Sequence, residues 1–321
     1  MAYTLADFQK TAKDNLKKGV VDVFRRESDV MDLLTFENSG TLSVKLMRMK
    51  TLPTITPRNI GEPYTESKGV TEPLEETVCL LGGYIDIPKE LLEDKSSLVD
   101  QRALQTKMFV RSMAYKFNDM FINGDPTTSP KEMAGLWYRL TNDISGQAID
   151  ADGIDVSPDG SNLIDDQAKL IRGIDELIHA CDAHKCDALF MNSAMYLALM
   201  ATIREKGLWA STKDSFGLDV PQFGPGGPRI YDIGYKANNT DLIITNDEGT
   251  DGALTGGSAT SIYAVKFGDE YLNGWQFKDI EVIDKGLLED NVVYRTFVDW
   301  GVGLYFYNPR SIARLYNIVA E

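Results

Sequence analysis

The sequence predicts an α+β fold on three observations. Residues 97–122 repeat apolar side chains at helical spacing over an unusual length. Residues 41–47 alternate at period two, and a second alternating stretch returns near 77–87. After Leu136 helical and strand patterns alternate, then give way to a run of strands.

Taken in order, residues 2–36 place Leu5, Phe8, Ala12 and Leu16, then Val20, Val23 and Phe24, at helical spacing, with an interruption at Gly19. The pattern fits an amphipathic arm that docks on another surface, and equally a first helix packed on its own domain. From Thr41 the period is two, with Leu42, Val44 and Leu46 alternating with Ser43, Lys45 and Met47. The stretch up to the returning strand holds Pro53, Pro57, Pro63, Pro73, Gly61 and Gly69 and no periodicity. A two-stranded ribbon is marginal in water and long structureless loops are uncommon in compact domains, so a neighbour is expected to support this hairpin.

The helix expected from Ser97 to Ile122 would be close to 40 Å long at about 1.5 Å per residue. Val99, Ala103, Val110, Met113, Phe117 and Phe121 form one face and Leu104, Met108 and Tyr115 a second, so more than one partner should cover it. Asn123, Gly124 and Pro126 should end it, the first two by a left-handed cap. Beyond it a helix is expected over 163–183, a buried strand over 187–192, and a helix capped by Ser193 that runs to Lys206 and stops at Gly207. Strands are expected at 230–233, 242–245, 262–267, 280–283 and 292–304.

A chain of 321 residues with 43% apolar content can bury a substantial core. No run approaches the ~20 apolar residues of a membrane span, and no secretion signal is recognisable, so the protein is expected to stay where it is made, with no membrane partner. Cys79, Cys181 and Cys186 fit reduced thiols. The net charge of −15 argues against a nucleic-acid surface covering the whole molecule. Its distribution is uneven: residues 1–50 carry nine Lys/Arg against seven Asp/Glu, whereas 142–187 carry three against eleven. Any contact with DNA is therefore expected from Lys17, Lys18, Arg25 and Arg26, without reading base sequence.

His179, Cys181, His184 and Cys186 supply zinc-type ligands, but their spacing does not pair them around separate elements as a structural site requires. Residues 155–166 partly copy a calcium loop, yet Pro158 interrupts it and Asp166 stands where a bidentate Glu is needed. No nucleophile elbow, phosphate loop or dinucleotide fingerprint is present. Neither a metal, a cofactor nor catalysis is expected.

The order of the hairpin, the strand Leu81-Gly82-Gly83-Tyr84-Ile85-Asp86-Ile87-Pro88, the long helix, Asn123-Gly124-Asp125-Pro126, Ala134-Gly135-Leu136, and finally Asp299-Trp300-Gly301 and Asn308-Pro309-Arg310 resembles the tailed-phage major capsid proteins of the Hong Kong 97 type. The resemblance implies an N-terminal arm at 1–36 and an extended hairpin region at 37–88. It further implies a peripheral domain with the spine helix at 89–136 and 260–308, and an axial domain at 137–259 and 309–321. It implies a shell of hexamers and pentamers around double-stranded DNA, with scaffolding, portal and decoration proteins as partners, in a virion assembled in the host cytoplasm. Leu52, Ile55, Ile60, Tyr64 and Lys68 on the hairpin then become the candidate assembly residues. Some members of the family weld subunits through a Lys–Asn isopeptide bond assisted by an acid; Lys68, Asn291 and Asp299 lie near those positions, with Asn291 offset by one. An encapsulin shell and an unrelated cytosolic enzyme are the alternatives, the encapsulin disfavoured because the first tryptophan is Trp137.

Overall fold

The computed structural model describes residues 28–90, 101–160, 162–214, 217–288 and 292–321. Thirteen strands, β1 Phe36–Asn38, β2 Ser43–Thr51, β3 Val70–Thr77, β4 Cys79–Pro88, β5 Ala148–Asp155, β6 Ala188–Met191, β7 Trp209–Lys213, β8 Asp219–Phe223, β9 Arg229–Asp232, β10 Thr260–Val265, β11 Leu272–Leu287, β12 Val293–Phe306 and β13 Ile312–Val319, form three sheets among the described residues. The four main α-helices are α1 Asp29–Leu33, α2 Gln101–Asn123, α3 Leu163–Ala180 and α4 Ser193–Glu205. The α+β class holds, and both mixed layers follow from it.

The first sheet runs β1-β11-β12-β4 and packs on α2. Its strands β11 and β12 are long and antiparallel, and β4 alternates, with Cys79, Leu81, Ile85 and Ile87 inward and Leu80, Tyr84 and Asp86 outward. The second sheet, β5-β13-β10-β6-β9-β8-β7, has α3 and α4 on one face, where Leu170, Ile174, Leu177, Leu199 and Ile203 meet Leu189, Ile262 and Leu315. Its other face, through Phe190, Tyr231 and Tyr263, joins α2 and the first sheet in one continuous core. Trp300 of β12 sits in that core, 5.6 Å from the rings of both Phe36 and Phe117.

Several expectations need correction. The exposed Leu104 and Met108 leave the first half of α2 open on one side; only from Val110 onward is it enclosed. Asn192, not Ser193, caps α4, because its Oδ1 accepts the Met195 N–H at 2.9 Å. Residues 242–245 form no strand; Leu242 makes only an isolated bridge to Tyr235. Strands β5, β7, β8 and β13 were not expected from pattern. In β5, Asp152 and Gly153 adopt φ of 55° and 69°, which breaks the alternation. Residues 28–36 pack on their own protomer: Val30, Met31, Leu34 and Phe36 are buried and β1 adds in parallel to β11.

The end of α2 shows what its two glycines are for. Neither Asn123 nor Gly124 adopts the left-handed conformation expected of a cap. Instead Gly124 donates to the Met120 carbonyl at 3.0 Å and its own carbonyl accepts from Gly135 at 2.8 Å, bringing two backbones against each other. A Cβ on Gly124 would lie 2.3 Å from the Met133 oxygen, and one on Gly135 2.6 Å from the Gly124 nitrogen. Gly124→Ala is therefore expected to cost on the order of 1–3 kcal/mol in urea unfolding, as other overpacked sites do, with no helix-propensity gain to offset it.

Candidate assembly surface

The ribbon β2–β3 divides into a root and a tip. At the root, Leu46 of β2, with Val44, Leu74 and Val78 beside it, packs on Trp275 and Tyr305, whose rings stack at 5.5 Å. The same underside carries an ion pair, Arg48 with Glu72 at 3.2 Å, and the Glu72 carboxyl is held below its ordinary range chiefly by that hydrogen bond. Contrary to the expectation that the hairpin lies outside the protomer's own core, its root belongs there. The returning partner strand is also earlier than expected, since Val70 pairs with Thr51 and Thr77 with Ser43, while 79–88 joins the first sheet.

The tip, 52–69, is different. Leu52, Ile55, Ile60 and Tyr64 are 77%, 91%, 106% and 74% exposed, and Lys68 is exposed as well. Local bonds still give it shape: the Thr54 N–H donates to Ser67 Oγ at 2.6 Å, Arg58 Nη1 to the Glu62 carbonyl at 2.9 Å, and the Arg58 guanidinium lies 4.6 Å over the Tyr64 ring. Apolar side chains held outward on a shaped loop form a contact surface that the described residues leave uncovered.

A second exposed apolar area lies on the solvent face of the first sheet. Leu80 and Tyr84 are exposed there, the Tyr84 and Phe297 rings are 5.2 Å apart, and Arg295 forks onto Asp86 with two bonds of 2.6 Å while covering Tyr84. That hydrogen bonding lowers the Asp86 pKa. Sequence reading passed over this patch, although the outward register of Leu80, Tyr84 and Asp86 in β4 is visible in the alternation.

The remaining candidates separate. Lys17, Lys18, Arg25, Arg26 and Asn291 lie outside the described residues. Asp299 is on β12 opposite Gly82 and Glu281, whereas Lys68 is on the tip. The His179 and His184 rings are 4.6 Å apart, but Cys181 and Cys186 are buried against each other, and that thiol contact followed by burial raises the Cys186 pKa, which opposes the thiolate a metal needs. In the acidic loop Asp155 Oδ1 accepts from the Ser157 N–H and Oγ, while Asp166 accepts from Lys169 at 2.7 Å. Among the described residues no group of three or more His, Cys, Asp and Glu could hold a metal ion.

One carboxyl is perturbed by its setting. Asp29 opens to solvent at the mouth of a recess of about 200 Å³ lined also by Tyr115, Asn118, Tyr231 and Asp232. Desolvation, then Asp32, Asp214 and Asp232, push its pKa up to about 6 from 3.8. The folded chain thus holds this proton more tightly than the unfolded chain, so the contribution to stability is greatest below about pH 4 and is lost as pH rises through about 6. Because the side chain reaches water, the amplitude should stay below ~1 kcal/mol. Asp29→Asn should flatten that window in urea unfolding followed against pH; an unchanged slope would remove the assignment.

Comparison with known proteins now bears on the same elements. Residues 12–164, which include the ribbon and α2, match the family model for major capsid protein GP7. Among solved structures, the encapsulin of the holo-SrpI complex from Synechococcus elongatus PCC 7942 is 13% identical, with a TM-score of 0.61 over 91% of this chain and 87% of that one. Microbacterium phage Oxtober96 gives 11% identity and 0.57 over 90% of each chain. The capsid of the empty GTA particle gives 14% and 0.56, again over 90% of each. No curated protein matches. The chain therefore has the Hong Kong 97-type fold of those shells, and over residues 12–164 it is similar to the major capsid proteins.

Proposed function

We propose that copies of this chain form hexamers and pentamers that close into an icosahedral shell around double-stranded DNA, with the hairpin tip as the clamp between neighbours. The observation that carries the reading is the tip itself: four large apolar side chains held outward on a ribbon whose root is anchored in its own core. The similarity of residues 12–164 to a major capsid protein supports a structural role in the virion. In the proposed division, 1–36 is an arm whose last residues are tied to the first sheet, and 37–88 is the hairpin region. Residues 89–136 with 260–308 form the peripheral unit, and 137–259 with 309–321 the axial one. Drawn on the sheets, β10 falls with the axial strands, so that boundary moves to about Val265.

Packaged DNA meets Lys17, Lys18, Arg25 and Arg26 through charge alone, since 142–187 repels phosphate. Neutralising all four should shorten the packaged genome or weaken the filled shell, with no sequence-specific footprint in either protein; unchanged packaging would count against it. Scaffolding, portal and decoration proteins complete the assembly, which takes place in the host cytoplasm. An encapsulin-type compartment is the second reading, favoured by the TM-score of 0.61 to the encapsulin of the SrpI complex. Negative-stain microscopy of the expressed protein tests both: hollow shells are expected, and their nucleic-acid or enzyme content separates the two. A monomer at every concentration and salt would overturn the assembly reading.

A further inference from the structure

We infer that Arg139 is a latch that sets the direction in which the hairpin ribbon leaves the body of the protein. Three elements meet at its guanidinium. Nη1 donates to Glu76 Oε1 at the foot of β3 at 2.6 Å; Nε donates to the Ala134 carbonyl at 3.0 Å; and the group lies 5.3 Å over the ring of Phe306 on β12. The Arg139 side chain is 1% exposed. It stands at the start of a π-helical turn, 139–143, a rare local geometry that turns one side chain away from the regular helical direction.

The parts around it make the position specific. Gly124 and Gly135, pressed back to back, fix the loop that offers the Ala134 carbonyl. Glu76 faces inward in register with Val44, two residues from the Leu46–Leu74 pair that seats the ribbon on Trp275. Apolar contact at the root is non-directional and would tolerate some tilt of the ribbon. The ion pair would not, because a guanidinium left buried without its carboxylate is strongly disfavoured. A buried pair of this kind contributes little net stability over apolar side chains of the same size, so its role is to choose one orientation.

This inference concerns the protomer; only its consequence, that the latch aims the tip at a neighbour, rests on the proposed clamp. The test therefore uses the unassembled full-length chain, with spin labels at residues 60 and 197 for pulsed distance measurement and hydrogen exchange across 43–50 and 70–77. In the double variant Glu76→Leu/Arg139→Met the thermal transition should stay within a few degrees of the parent. Over the same residues the label distances should spread and the ribbon amides exchange about tenfold faster, as local opening becomes easier. Arg139→Lys, which keeps the charge and loses the fork, should give an intermediate spread. Unchanged distances and exchange in both variants would overturn the latch in favour of packing alone. Loss of cooperative unfolding in the double variant would also overturn it, by making the pair a stability element. Failure of the parent to form shells would leave the latch standing and remove only the clamp.

Discussion

Replacing residues 55–66 with a short Gly-Ser turn should leave a soluble protomer with a near-normal thermal transition that no longer closes into shells. The reason is the division between root and tip. Leu46, Trp275 and Tyr305 bury the root and are untouched, while Ile55, Ile60 and Tyr64 stay largely exposed on the tip. Docked on a neighbour, each large aliphatic side chain would contribute about 1.5 to 3 kcal/mol on full burial. Repeated over every contact of a closed shell, that loss is decisive even when each contact is weak. Sedimentation and microscopy of the variant, beside calorimetry of the protomer, read the two effects separately. An unfolded variant would mean that the tip belongs to the core; shells of normal stability would mean that the clamp lies elsewhere, the Tyr84 and Phe297 patch being the next place to look.

The second large effect is expected in the seven-stranded sheet. Arg314 of β13 donates Nη2 to Glu248 at 3.0 Å, Nε to Ser261 Oγ at 2.9 Å and Nη1 to the Gly252 carbonyl at 2.7 Å, and Ser261 donates to the same Glu248 carboxylate. Glu248 and Arg314 are 1% and 3% exposed. Desolvation, only partly offset by Arg314 and Ser261, raises the Glu248 pKa. Arg314→Met removes the offsetting charge and should cost about 3–5 kcal/mol near neutral pH, the usual penalty for stranding one member of a buried pair. With the folded-state pKa raised further above its unfolded value, that loss should shrink as pH falls and the carboxyl takes up its proton. Adding Glu248→Leu should recover much of the stability. Urea titrations of the single and double variants at two pH values check this; equal losses in both would show that the packing of the Arg314 side chain, not its charge, matters.

The local periods of this chain fixed which stretches are helix and strand wherever a single face is buried: α2, α3, α4, β2, β9 and β12 all read correctly, because a buried stripe or an alternating face writes itself into composition. The resemblance carried by Asn123-Gly124-Asp125-Pro126 and Ala134-Gly135-Leu136 reached the fold as well, yet the reason for Gly124 was misread, since close approach of two backbones leaves no trace different from a left-handed turn. Strand β5 escaped notice because it pairs with β13, far away in the chain, which no local pattern records. The tip residues Leu52, Ile55, Ile60 and Tyr64 could be named from sequence as apolar side chains in a proline-broken loop. That their ribbon is rooted in its own protomer, that Glu76 finds Arg139 and Glu248 finds Arg314 across 63 and 66 residues, and that Asp29 meets Asp214 and Asp232 were decided only when the chain folded. Sequence records which side chains must leave water; the pairing of charges depends on distances that arise only once those side chains have packed.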